Sequence, residues 1–150
     1  MILPDEAATQ RLGQAVAAKL RPGEAVCLFG PLGAGKSTLA RALIRALTTP
    51  DEEVPSPTFT LVQFYEGPRL SVAHFDLYRL SAPEEAYEIG LDEALDGGAA
   101  VIEWPERLGD ALPPDRLDIE IALLDGGAEG AGRRARITPH GAWEGRGLEV

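Results

Sequence analysis

Gly30-Pro31-Leu32-Gly33-Ala34-Gly35-Lys36-Ser37-Thr38 is the stretch on which the fold turns. It satisfies G-x-x-x-x-G-K-[ST] through Gly30, Gly35, Lys36 and Ser37. Glycines let the backbone curl until several N–H groups converge on phosphate oxygens. Lys36 then reaches the β- and γ-phosphates, and the Ser37 hydroxyl can sit on Mg2+. Such a loop works only between a strand and a helix, and the flanks comply. Glu24–Phe29 (EAVCLF) is a short apolar run with the character of a buried strand. Ser37–Leu47 (STLARALIRAL) repeats Leu39, Leu43, Ala46 and Leu47 at helical spacing, with Arg41 and Arg45 on the other face. The helix N-terminus therefore aims at the phosphates. The plainer reading, a glycine-rich turn with a solvated lysine, leaves the strand–loop–helix order unexplained. Lys36 is also one of two lysines in the chain, Lys19 being the other.

Composition sets the limits around this loop. A length of 150 residues suits a single domain, 1–150, that buries roughly two-thirds of its unfolded surface. The formal net charge of −10 argues against unaided binding to RNA, DNA or anionic lipid, so any nucleic acid is expected to be held by another protein. The single cysteine, Cys27, excludes an internal disulfide and reads as a small core residue in a reducing cytosol. The N-terminal MILPDEAATQ lacks the basic and apolar regions of a signal segment, and no apolar run approaches membrane-spanning length. The expected location is the cytoplasm.

The rest of the chain reads as alternating elements. Pro4–Leu20 is an amphipathic helix with Leu12, Val16 and Leu20 on one face. FTLVQFYEGPRLSVAHFD (59–76) holds two β-rich runs around EGPR, a hairpin. Ser81 and Glu84 form a capping-box pattern, with Pro83 near the first turn, and open the helical stretch 83–95, breakable at Gly90. GGAAVIEW (97–104) is a buried strand ending in a carboxylate. LDIEIALL and RRARITP pair across the glycine-rich DGGAEGAG (125–132), expected to be a mobile loop. No repeat, zinc-ligand spacing or coiled coil is present. The fold class is α/β: a single-domain P-loop NTPase with a mixed sheet, parallel around the loop and antiparallel at the hairpins, flanked by helices.

A phosphate loop needs a second acid near Mg2+, usually at a strand end. Asp76 follows SVAHF and Glu103 closes AAVIE, both after apolar runs. One serves as metal ligand and the other as support; Asp76 can instead position water or orient Ser37. The two prolines of PSPTF (55–59) hold Thr58 in a restricted pose, where related NTPases carry a hydroxyl that senses γ-phosphate. His74 reads equally as a packing residue and a functional one. Trp104 reads as core or interface first and nucleotide contact second. Arg133 and Arg134 belong to an exposed strand face, or one of them reaches a phosphate. Neither [NT]-K-x-D nor D-x-x-G after a strand is found, which argues against a Ras-like GTPase. An Arg-rich kinase lid and a transporter-ATPase signature are absent as well. Adenine nucleotide is the better fit.

Together GPLGAGKST, VPSPTFTLV, HFDLYRL, PEEAYEIGLDE, IEWPE, LPPDRLDI and GRRARI, in this order, resemble the bacterial TsaE family (formerly YjeE), ATPases of tRNA threonylcarbamoyladenosine biosynthesis. The resemblance implies ATP bound by Leu32, Gly33, Ala34, Gly35, Lys36 and Ser37, with Thr38 following, and Mg2+ on Ser37 and Glu103. It implies a nucleotide-proximal role for Asp76 and motif roles for Thr58 and Trp104, and brings Glu6, Thr9 and Arg133 toward the nucleotide. Ser37 stands where many members have threonine, and Pro31 where many have an acid. The family acts with TsaB and TsaD. TsaD modifies an adenosine beside the anticodon of tRNAs reading ANN codons, so this chain meets tRNA only through the complex. Rival readings are a small-molecule kinase and a nucleotide switch without hydrolysis.

Overall fold

The computed structural model describes residues 1–31, 33–124 and 132–150. In chain order the elements are β1 (Ile2–Leu3), α1 (Glu6–Lys19), β2 (Ala25–Phe29), α2 (Lys36–Leu47), β3 (Val62–Tyr65), β4 (Val72–Asp76), α3 (Glu85–Glu88), α4 (Leu91–Leu95), β5 (Ala99–Glu103), β6 (Arg116–Leu123) and β7 (Arg133–His140). Short 3₁₀ segments cover Pro105–Ala111 and Gly141–Trp143. The strands form one sheet in the order β1-β7-β6-β2-β5-β4-β3. Strand β2 takes the centre, as an apolar run without polar alternation must. It is parallel to β5 and β6, and β4 is parallel to β5. The hairpins β3–β4 and β6–β7 are antiparallel, giving the expected mixed sheet.

Side-chain alternation along the strands builds a core on each face. On one, Leu12, Val16, Leu39 and Leu43 from α1 and α2 meet Val26, Leu28, Val101 and Ile119. On the other, Cys27, Phe75 and Ile102 meet Ala86, Leu91 and Leu108 from α3, α4 and the first 3₁₀ segment. Burial pushes the Cys27 thiol well up, with Asp118 adding to it, which suits a packing residue. Helix α1 is capped by Asp5, whose carboxylate accepts from Ala8 N–H at 2.8 Å. It lies so close to α2 that a Cβ on Gly13 would sit 2.9 Å from Ala42 Cβ. Among the described residues no helix is long and apolar enough to cross a membrane.

Three local expectations need correction or restriction. On α2 the apolar stripe is completed by Ala40 and Ile44, whereas Ala46 is exposed in a groove between α1 and α2. The carboxylate that reaches back at the third helix belongs to Glu85, not Glu84. It accepts from Ser81 N–H at 3.0 Å and Ala82 N–H at 2.9 Å, because the helix starts at Glu85, beyond the position that the Ser81–Glu84 spacing implies. The break at Gly90 is present, with φ 97° between α3 and α4. Of DGGAEGAG, residues 125–131 lie outside the described residues.

The sheet edge at the N-terminus of β2 is locked by a buried ion pair. Arg146 donates to Glu24 at 2.7 and 2.8 Å, and also to the Lys19 carbonyl at 3.0 Å. Its guanidinium lies 4.4 Å from the Trp143 ring centroid. Hydrogen bonding to Glu24 pushes the Arg146 pKa up, so the guanidinium stays charged. Glu24→Ala would strand the guanidinium and is expected to cost about 3–5 kcal/mol, read as a lower urea midpoint at unchanged slope. An unmoved midpoint would show that the pair does not hold this corner.

Candidate functional site

Parallel register brings the C-terminal ends of three strands to one level. Leu28 pairs with Glu103, and Glu103 with Asp76. This edge is where ligands of open α/β sheets bind. Immediately beyond β2 the chain must turn tightly. A Cβ on Gly30 would collide with the Ile121 carbonyl, and Gly35 enters α2 at φ 109°. Helix α2 has no side-chain cap, unlike α1. Its first N–H groups and the positive end of its dipole are therefore left for another acceptor.

A cavity of about 280 Å3 surrounds this helix start, lined by Gly33, Gly35, Lys36, Ser37, Thr38, Ser56, Thr58, Asp76, Glu103, Trp104 and Arg133. A second, of about 330 Å3, shares Gly35, Thr38 and Arg133 and adds Glu6 and Thr9 from α1. A larger groove of about 430 Å3 between α1 and α2 adjoins through Glu6 and Thr38, yet contains none of Lys36, Asp76 and Glu103. Chemistry, not size, marks the site.

Lys36 is 5% exposed, and its ammonium has no hydrogen-bond acceptor among the described residues. The Trp104 ring lies close to it, 4.0 Å from Nζ to centroid. Trp104 holds that position from the left-handed region, φ 58° and ψ 48°, costly for a bulky side chain, and its ring meets Tyr78 at 4.9 Å. Asp76 is held at both oxygens: Tyr78 N–H donates at 3.0 Å and the Thr58 hydroxyl at 3.3 Å. That hydroxyl lies 2.8 Å from Ser56 Oγ. Glu103 Oε2 lies 2.7 Å from His74 Nε2. Arg133 donates from Nε to the Ala34 carbonyl at 2.9 Å, tying β7 to the loop. Strand alternation puts Arg134 on the opposite, exposed side. Ala34 itself is fully buried, and Leu32 lies outside the described residues.

The structure thus gathers Gly33, Gly35, Lys36, Ser37, Thr38, Thr58, Asp76, Glu103, Trp104 and Arg133 at one cavity, with Glu6 and Thr9 in its neighbour. Ser56, His74 and Tyr78 join them. Ser56 stands two residues from Thr58 in the same rigid segment, and His74 two residues from Asp76 on the same strand face. The described residues contain no group of three His, Cys, Asp or Glu suited to hold a metal. Hydroxyl and carboxylate oxygens from Ser37 and Glu103 do suit a hard cation such as Mg2+, which takes one or two carboxylates and completes its shell with phosphates and water.

An α/β domain with a mixed sheet, a glycine-rich strand–loop–helix junction and two level carboxylates is the class defined so far. Comparison with known proteins narrows it. Residues 3–131 match the family described as Threonylcarbamoyl adenosine biosynthesis protein TsaE. The chain is 42% identical over 124 residues to a TsaE of Rickettsia bellii, covering 83% of this chain and 86% of that one. It is 38% identical over 144 residues to one of Nostoc, covering 93% and 85%. Both relatives are named tRNA threonylcarbamoyladenosine biosynthesis protein TsaE. The crystal structure of Bacillus subtilis YdiB superposes with a TM-score of 0.72 at 29% identity, covering 91% of this chain and 82% of that one. This chain belongs to the TsaE family.

The Lys36 ammonium, without an acceptor among the described residues, can be tested by its removal. Lys36→Met keeps the stem and deletes a buried charge whose desolvation costs several kcal/mol against ~2 kcal/mol from the ring. The ligand-free variant should be at least as stable as the parent in urea unfolding. A lower midpoint would reveal an anionic partner for Lys36.

Proposed function

We propose that this chain is a Mg2+-dependent ATPase subunit of the machinery that forms threonylcarbamoyladenosine in tRNAs reading ANN codons, working with TsaB and TsaD in the cytoplasm. One observation carries the reading: a buried Lys36 ammonium without an acceptor among the described residues, at an uncapped helix start, beside two restrained acids. A triphosphate satisfies all of these at once. Its β- and γ-oxygens accept from Lys36 and the α2 N–H groups. Ser37 and Glu103 would hold Mg2+, which would supply positive charge against the charge that builds on the phosphates during transfer. Asp76 orients the attacking water or the Ser37 hydroxyl, itself kept in place by Thr58 and Tyr78 N–H. The adenosine end extends into the cavity beside Glu6 and Thr9. The names of the relatives support the tRNA role, and a net charge of −10 suits a subunit that meets tRNA only through its partners.

Dependence on partners follows from the cations. Arg133 is engaged by the Ala34 carbonyl, and Arg79 lies 4.5 Å over the exposed Phe59 ring. An arginine placed on the γ-phosphate is worth ~10³–10⁵ in rate, so the isolated subunit should be slow. Steady-state ATP turnover is expected to be low for the purified chain and to rise when TsaB, TsaD and tRNA are added, with modified tRNA formed only when this chain is present. A solo rate equal to the assembled rate would contradict the coupling. Modified tRNA without ATP turnover would indicate a switch, and a phosphorylated small-molecule acceptor a kinase.

A further inference from the structure

His74 restrains Glu103 and is among the most enclosed polar side chains, 2% exposed. We infer that His74 is a positioning residue: its imidazole fixes one oxygen of the Glu103 carboxylate so that the other is presented to the divalent cation. This rests on Glu103 being the cation's carboxylate, as proposed above.

Across β4 and β5, His74 pairs with Val101 and Asp76 with Glu103, so His74 lies one same-face step below both acids. The Glu103 side chain meets the ring at 2.7 Å through Oε2. An ionised carboxylate only accepts, so the proton of this contact sits on Nε2. His74 Nδ1 has no partner among the described residues, and a proton there would be stranded, which favours the same tautomer. No described residue hydrogen-bonds Glu103 Oε1. Asp76 contrasts with this: both of its oxygens accept, from Tyr78 N–H and the Thr58 hydroxyl. Of the two level acids, Glu103 alone has an oxygen that no described residue hydrogen-bonds, and the imidazole decides which oxygen that is. Released from His74, a three-torsion glutamate beside a buried ammonium would gain rotamers that turn it from the cation. Hydrogen-bond partners of ligating carboxylates carry this orienting role in metal sites generally.

The test measures Mn2+ affinity of the ADP-saturated chain from the free-ion electron paramagnetic resonance signal, alongside metal-free ADP affinity. Glu103→Ala should lose most Mn2+ affinity. His74→Leu should lose ~10–100-fold, whereas His74→Gln, whose amide carries a donor to the same reach, should stay near the parent. Metal-free ADP affinity, which reads the loop and Lys36, should hold in both His74 variants. Should His74→Leu fail to fold, His74→Asn replaces it, because its shorter amide withdraws the donor and should lower Mn2+ affinity likewise. Parental Mn2+ affinity in His74→Leu or His74→Asn, with loss in Glu103→Ala, would overturn this inference and leave the cation site intact. Parental affinity in Glu103→Ala would instead overturn the assignment of Glu103 and the inference with it.

Discussion

A buried ammonium without a counter-ion among the described residues is the constraint on which the rest of this structure depends. Two carboxylates, Asp76 and Glu103, share its cavity, and direct pairing with either would be the simplest way to stabilise Lys36. No ion pair joins them among the described residues. Each acid is restrained elsewhere, Asp76 by Thr58 and Tyr78 N–H, Glu103 by His74. The Trp104 ring supplies a partial substitute by its π-face, which attracts a cation without competing as strongly as an anion. The site is thus kept short of negative charge at one point, where an anionic ligand can supply it.

The sheet makes this possible. Three parallel strands end level, so acids from β4 and β5 stand on either side of one register line while the loop leaves β2 beside them. Arg133 then ties the far hairpin to the loop through Ala34, and α1, packed against α2 at Gly13, brings Glu6 and Thr9 to the adjoining cavity. Backbone strain concentrates here too. Trp104 and Leu61, the two described non-glycine residues at positive φ, both sit in segments that border the site. At the other edge of the sheet the Glu24–Arg146 pair provides conventional stability without such demands.

Much of this was legible in the sequence, and the failures have physical reasons. The strand–loop–helix unit announces itself through its glycines and the change of hydrophobic period, and Asp76 and Glu103 stand out as charges ending apolar runs. Strand β1 has two residues, too few for any period to appear. Glu84 and Glu85 are adjacent carboxylates, and only the true start of the helix decides which reaches back. Arg133 and Arg134 are likewise indistinguishable until strand alternation assigns their faces. The His74–Glu103 contact joins residues 29 apart through sheet register, which no local spacing encodes. The left-handed turn at Trp104, which sets its ring over Lys36, is unexpected for a tryptophan and has no sequence signature.

Calorimetric titration of the purified chain with ATP, ADP and AMP, each with and without Mg2+, tests the central claim most directly. A site organised around an unpaired lysine and an open helix start should bind ATP and ADP, bind AMP poorly, and tighten on ATP when Mg2+ is present. AMP bound as well as ATP, or no heat with ATP at millimolar concentration, would contradict it.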